Sequence, residues 1–272
     1  MLKSPLSSPI KRTLRSAFTP SGGYAPAGYD TDAQAYITAV ETADSASLET
    51  GVKDAINSFV VYCKAQGIWT AINASCILAG ARTLSGALVP LVGTAPTNVN
   101  FVGGDYNRKT GLLGNATTKY LNSNRLDSAD PLNNYHVSGY ATRLIGSGGG
   151  FILGTGFLNS GDTQLETDTR VRSRNGAIQG TVRATRTSPF CGLTRASSAN
   201  FTIRSESANV VITQNSNSSM NLNYFIFGSN NAGSPQLLTA ERIAFYSLGT
   251  SIDLAKLETA VTNLMTAIST AF

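Results

Sequence analysis

The stretch Asn221–Gly249, NLNYFIFGSNNAGSPQLLTAERIAFYSLG, sets the expected fold class. Side chains alternate across a strand, so Leu222, Tyr224 and Ile226 share one face and Phe225 and Phe227 the other. A segment that is apolar on both faces predicts a strand buried on both sides. From Gly228 to Pro235 the residues Gly, Asn, Ser and Pro cluster, which reads as a loop with an exposed Asn-Asn-Ala-Gly tip. Alternation resumes with Ile243 and Phe245 on one face and Arg242, Ala244 and Tyr246 on the other. Two aromatic-rich strands joined by a polar loop predict the centre of an antiparallel β-sandwich.

Working upstream, short strand-like runs recur between turn signals. They include Val99–Val102, Tyr120–Leu121, Tyr135–Thr142, Phe151–Leu153, Thr163–Glu166, Arg170–Arg174, Ala177–Thr185, Cys191–Arg195, Phe201–Arg204 and Val210–Thr213. This density predicts a sandwich spanning residues 96–250 rather than a parallel α/β sheet. From Arg170 to Arg204 there are seven arginines and no acid. Arg170, Arg172 and Arg174 share one strand face, a cationic strip able to meet an anionic partner or to guard a sheet edge.

Catalytic and metal chemistry find little support. His136 is the sole histidine and sits within a strand, which predicts a structural imidazole and no metal site. Asp162, Glu166 and Asp168 in DTQLETD invite comparison with sandwich glucanases. Those need flanking carboxylates in a Glu-x-Asp-x-x-Glu pattern, and the third acid is replaced by Val171. The expectation is a non-enzymatic chain without a cofactor. Cys63, Cys76 and Cys191 are odd in number and carry no paired motif, which predicts reduced, partly buried thiols.

Residues 30–95 read as a small helical module. Thr31 and Gln34 match a capping box ahead of Tyr36, Ile37 and Val40. Leu48, Val52, Ile56, Phe59, Val60 and Cys63 repeat at helical spacing from about Ser45, and Gly67 stops the helix. Trp69, Ile72, Ile77 and Leu78 are expected to close this module's core, with a third short helix. At the other end, residues 251–272 predict a helix capped by Ser251, with Leu254, Leu257, Val261, Leu264, Met265 and Ile268 as its apolar stripe. So few charges flank that stripe that it is a candidate seam between copies, or a face packed on the module.

The chain has 272 residues, 42% of them apolar and 14% charged, with a formal charge of +5. That composition can bury a core and excludes a disordered protein. No run of apolar residues is long enough for a membrane span, and the prolines and cations of the first residues exclude a signal peptide. Residues 1–29 read as an extended basic arm. They hold Lys3, Lys11, Arg12 and Arg15 and no acid, while Leu2, Leu6, Ile10, Leu14 and Phe18 recur every fourth residue. Pro5 and Pro9 oppose a continuous helix there. Such an arm needs a partner to bury its anchors, and Leu2, Leu6, Ile10, Lys11, Arg12, Leu14, Arg15 and Phe18 are the expected docking residues. Four cations with few aromatics make a poor nucleic-acid site.

Ala55-Ile56-Asn57 followed by Cys63-Lys64-Ala65-Gln66-Gly67-Ile68-Trp69 resembles the N-terminal part of a group of tailed-bacteriophage virion structural proteins. Ile243-Ala244-Phe245-Tyr246-Ser247-Leu248-Gly249 with its following helix resembles the end of the same module. Met1-Leu2-Lys3-Ser4-Pro5-Leu6-Ser7-Ser8-Pro9 is similar to the start of phage structural proteins. At Ala74–Gly80 the chain departs from the aromatic-Pro-Phe segment of many relatives. The resemblance implies a concanavalin-A-like (laminin-G-like) jelly-roll sandwich. It also implies a virion protein made in the host cytoplasm, in a tail fibre or tail tip, or else as a capsid decoration protein or head fibre. The partners implied are other virion proteins and copies of itself, a trimer being favoured, with a host-surface glycan as an alternative ligand.

Overall fold

A computed structural model describes residues 28–145, 149–157, 161–167, 171–174 and 186–272. The helices are α1 (Thr31–Asp44), α2 (Thr50–Ala65), α3 (Leu84–Ala87) and α4 (Leu254–Thr270). The strands follow in chain order: β1 (Ile72–Ile77), β2 (Thr97–Val99), β3 (Tyr106–Asn107), β4 (Gly111–Leu113), β5 (Tyr120–Leu126), β6 (Tyr135–Arg143), β7 (Phe151–Thr155) and β8 (Thr163–Glu166). After them come β9 (Val171–Ser173), β10 (Phe190–Arg195), β11 (Asn200–Ser205), β12 (Ala208–Thr213), β13 (Asn223–Ile226), β14 (Ser229–Asn231), β15 (Ser234–Gln236) and β16 (Arg242–Gly249). The expected mainly β, antiparallel sandwich with helices at both ends is borne out. The run Ala177–Thr185 lies outside the described residues.

One sheet runs β12-β11-β10-β6-β16-β4-β3, and β1 also pairs with β16. The other runs β15-β14-β7-β13-β5-β2, with β8 on β7 and β9 on β8. Apolar side chains from both inner faces, among them Val137, Ile152, Leu193, Tyr224 and Leu248, form the core between the sheets. A second core lies outside the first sheet, where α1, α2 and α4 cover Tyr140, Phe190 and Phe245. The molecule therefore has three layers: helices, first sheet, second sheet.

The stretch Asn221–Gly249 crosses this architecture. Tyr224 and Phe225 are both buried, as expected for a strand covered on two sides. Phe225 stacks on Tyr120 at 4.5 Å, while Phe227 joins Tyr224 and Ile226 in the inter-sheet core. The expected opposition of Phe227 fails because its φ is 72°, a left-handed turn of the chain that strict alternation cannot anticipate. That turn lets β13 run antiparallel to β7 and β14 parallel to it. The expected loop is a hairpin, β14–β15, closed by Ala232 and Gly233 at φ 50° and 91°. Two left-handed residues give the tight turn whose twist matches its strands. The chain then changes sheets into β16, where a bulge between Ile243 and Phe245 sends Ile243 inward with Tyr246 and Leu248, and Phe245 outward to the helices.

Three further expectations change at element ends. The N-cap of α1 is Asp30 rather than Thr31: its carboxylate accepts from the Asp32 amide at 3.0 Å. The cap of α4 is Asp253 rather than Ser251, accepting from the amides of Ala255 and Lys256. Residues 72–77 are a strand paired antiparallel with Phe245–Gly249, not a third helix. α2 itself starts at Thr50, because Ser45 takes a left-handed φ of 51° and ends α1. The Asp44 carboxylate then ties the helices to the loop before α3, accepting from Arg82 N, Thr83 N and the Thr83 hydroxyl. Arg108 clamps Glu49 at the start of α2 through two nitrogens, at 3.1 and 2.6 Å.

Candidate docking face and ligand pocket

The expected docking residues Leu2, Leu6, Ile10, Lys11, Arg12, Leu14, Arg15 and Phe18 lie outside the described residues. Their root does not. The Tyr29 hydroxyl donates to Asp54 at 2.9 Å, and the Asp30 amide donates to the Asn57 side chain at 2.7 Å. Lys64 reaches Asp30 at 2.7 Å and Asp32 at 2.6 Å. The Lys64 hydrogen bond holds the Asp30 carboxyl below its ordinary value, and the same bond raises the Lys64 ammonium. Asp32 also accepts from the Trp69 indole at 3.1 Å, and Lys64 sits 5.9 Å from that ring. Trp69 is half-buried at the edge of the helical layer. The chain thus enters α1 held by α2.

Beside this root lies an apolar groove of about 350 Å³ between α2 and α4. Phe59 and Leu264, both 2% exposed, lie at its floor, Asp54 and Tyr62 stand along α2, and at one end Gly51 packs closely on Ala271. α4 spends its apolar stripe inside the molecule: Leu254, Leu257, Val261, Leu264, Met265 and Ile268 are all buried against α2 and the first sheet.

The anticipated cationic strip is not a surface. Arg172 is 4% exposed and Arg174 fully buried, and Arg170 lies outside the described residues. Of the three, only Arg172 lies in β9; Arg174 follows the strand's end with a left-handed φ of 53°, and β9 is covered on both faces, with Val171 also buried. Arg174 donates to the carbonyls of Pro131, Asp130 and Asp127 and stacks 3.8 Å from the Tyr135 ring. Arg195, also fully buried, gathers the carbonyls of Ser173, Ser197, Ser198, Asn200 and Gln214. A guanidinium offers five donors in a rigid fork, so each of these arginines fastens several loops at once.

Asp162 is fully buried, with Arg172 at 3.9 Å, and Glu166 is 7% exposed. Asp168 lies outside the described residues. Among the described residues, no cluster of His, Cys, Asp and Glu could hold a metal ion, and no helix is long and apolar enough to cross a membrane. The three thiols are buried, and burial pushes Cys63 and Cys76 up to about 12.

His136 is a core imidazole. Its Nδ1 donates to the Thr250 carbonyl at 2.6 Å and its Nε2 accepts from the Ser247 hydroxyl at 2.8 Å. Burial pushes its pKa down from 6.5 to about 4, against the opposing pull of the Thr250 carbonyl. A base held below its unfolded value contributes stability above that value and loses it as pH falls. Between pH 6.5 and about 4 this residue should therefore withdraw about 3 kcal/mol. Urea titrations across that range check this; a His136→Gln variant should show a flatter pH dependence than the parent.

One polar pocket escaped the sequence. Asn73, Thr94, Ser123, Asn124 and Arg125 line a cleft of about 260 Å³ beside β1 and β5. Behind it Asp130, 4% exposed, accepts from Arg125 through two nitrogens, at 3.1 and 2.6 Å, and from Asn73 at 2.9 Å. Asn124 adopts φ 55°, which turns the strand at the pocket rim. Asn73 and Asp130 are 57 positions apart, and no motif signals their meeting.

No family model matches this sequence, and no curated protein matches it. Among solved structures, the chain is similar to a mutant of Trypanosoma rangeli sialidase displaying trans-sialidase activity: 11% identity, TM-score 0.42, covering 77% of this chain and 39% of that one. It is similar to domain 4 of AbnA, an extracellular arabinanase from Geobacillus stearothermophilus, in complex with arabinotriose: 12% identity, TM-score 0.39, covering 64% and 82%. It is also similar to the enzymatically active domain of tailspike protein 2 from bacteriophage CBA120: 12% identity, TM-score 0.36, covering 62% and 29%. The chain thus spans well under half of the sialidase and of the tailspike domain. These are likenesses of the sandwich fold.

Proposed function

We propose that this chain is a non-enzymatic structural protein of a bacteriophage particle, a tail-fibre or tail-tip component that docks through residues 1–29 and displays its sandwich. A place on the capsid, as decoration protein or head fibre, is the alternative location. The observation that carries the reading is the pinned root. Tyr29 and Asp30 hold the basic, apolar-pegged segment to the helical layer. That layer covers one sheet and leaves the second sheet on the opposite side of the molecule. The root at Tyr29 and Asp30 and the second sheet therefore lie on opposite sides of the first sheet. The partners are other virion proteins and further copies of this chain.

A second reading, recognition of a host-surface glycan, rests on the Asn73–Arg125–Asp130 pocket, whose amide, guanidinium and hydroxyl groups suit sugar hydroxyls. Deleting residues 1–20 tests the first reading. The shortened chain is expected to keep its melting temperature and to vanish from purified particles, measured by mass spectrometry; incorporation at the parental level would sink the proposal. Specific signal on a glycan array, lost in Asn73→Ala, would favour the second.

A further inference from the structure

We infer that strand β12 is a self-pairing edge, along which two copies of this chain join antiparallel about a two-fold axis at Val211. The contact is separate from the docking role of residues 1–29, and it gives copies of the chain a place to meet. The first ground is the state of the edge. β12 ends the first sheet and pairs with β11 alone. It runs for six residues, ANVVIT, with no charge and no proline. Sheet edges are ordinarily kept from pairing by short strands, charges, prolines or a covering segment. The other outer strands among the described residues follow that rule. β3 has two residues, and β2, β9 and β15 have three each. β15 also carries Pro235, and β1 is covered where Ser75 bridges Val92.

The second ground is which backbone groups point outward. The Gln214 amide donates to the Ala199 carbonyl at 2.8 Å, one step beyond the pair of Thr213 with Asn200. Hydrogen-bonded pairs recur at every second position of an antiparallel ladder, so Ile212, Val210 and Ala208 turn their N–H and C=O groups to β11. Asn209, Val211 and Thr213 turn theirs to the open side. All three are exposed, Val211 by 62%.

The third ground selects a second copy as the occupant. From Asn209 to Thr213 the strand reads polar, branched, branched, branched, polar from either end. That is what a strand meeting itself in reverse requires. With the axis at Val211, that residue faces the partner's Val211, Asn209 faces the partner's Thr213, and Val210 faces the partner's Ile212. About six backbone hydrogen bonds close, two from each outward-facing residue of one copy. Val210 and Ile212 lie opposite Ile203 and Phe201, which belong to the inter-sheet core, so pairing carries that core into the next copy. Cross-strand pairs of branched side chains stabilise such a junction. No charged residue occurs from Ala208 to Asn217, so nothing in the strand repels its copy. A contact made by the same patch on both subunits closes at a dimer.

Analytical ultracentrifugation of the full-length chain tests this. A contact along one strand belongs with small interfaces, so a Kd in about the micromolar range is expected, with twice the 28.5 kDa chain mass at about 0.1 mM. Val211→Lys and Val211→Glu change one exposed side chain and should keep the parental circular dichroism spectrum. Each should raise the Kd about tenfold or more, because like charges then face each other on the axis. An equimolar mixture of the two variants should recover the parental Kd, since opposite charges then meet. That recovery requires position 211 to face itself. A parent of single-chain mass at that concentration would overturn the inference, as would a trimer. So would a dimer indifferent to both variants, or a mixture no tighter than either variant alone. A monomeric parent whose Val211→Pro form is missing from particles would also overturn it, giving the edge to a strand of another virion protein. Deleting residues 1–20 should leave the Kd unchanged, so failure of the docking role and failure of this contact are separate results.

Discussion

Replacing Arg186 with Met is expected to destabilise the protein by about 3–5 kcal/mol at neutral pH, the cost of leaving a buried charge without its partner. Arg186 and Glu241 form an ion pair in which both side chains are fully buried. The arginine also donates to the carbonyls of Thr167 at 3.3 Å and Pro189 at 3.1 Å, so its loss orphans those acceptors too. Burial raises the Glu241 carboxyl above its ordinary value even with Arg186 opposing it. Without the arginine that carboxyl should rise further. An acid held above its unfolded value favours the fold as pH falls, when it takes up its proton. The deficit of Arg186→Met should therefore shrink on acidification, and Arg186→Met/Glu241→Gln should recover much of it. Urea unfolding of parent, single and double variants at two pH values checks this. A double variant no more stable than the single one would mean that the pairing is not the source of the loss.

Phe59→Ala is expected to cost about 3–5 kcal/mol as well, by opening a cavity in the seam between layers. Phe59 is 2% exposed, and its ring lies 5.7 Å from that of Phe245 on the first sheet. It belongs to the core that joins α1, α2 and α4 to the sandwich. Because β1, α3 and β16 interlock helices and sheet, the loss should move the whole transition. Trp69 fluorescence in the helical layer and the far-ultraviolet sheet signal should shift to one lower urea midpoint. Two separate midpoints would show that the layers unfold independently.

How much of this was legible beforehand depended on the range of the interaction. The helices α2 and α4 were readable because their buried positions recur at helical spacing within one segment. Thr163–Glu166 is legible at its observed limits, since a short run that follows the turn residues Gly161 and Asp162 needs no distant information. His136 was readable as structural because a lone imidazole in a strand has few other roles. By contrast, the local pattern of Ile72–Ile77 points to the helical module, because nothing nearby in sequence says that its partner is Phe245–Gly249 in the last strand. The face of Phe227 was missed for a different reason: a left-handed φ on a large aromatic is imposed by its surroundings. The candidate site divides in the same way. The apolar and basic rhythm of residues 1–18 could be read directly, whereas the groove required α2 and α4, which are distant in sequence, to lie side by side.

Local pattern by itself determined that this chain builds a β-sandwich with helices at both ends, because hydrophobic period and turn residues act over a few positions. Which side of an arginine strand meets water, and which residues far apart share a pocket, only the tertiary structure decided. A charge on a strand looks the same in sequence whether it faces solvent or a ring of carbonyls. Its surroundings come from other strands, and at Arg174 they are the loop carbonyls of Asp127, Asp130 and Pro131 and the face of Tyr135.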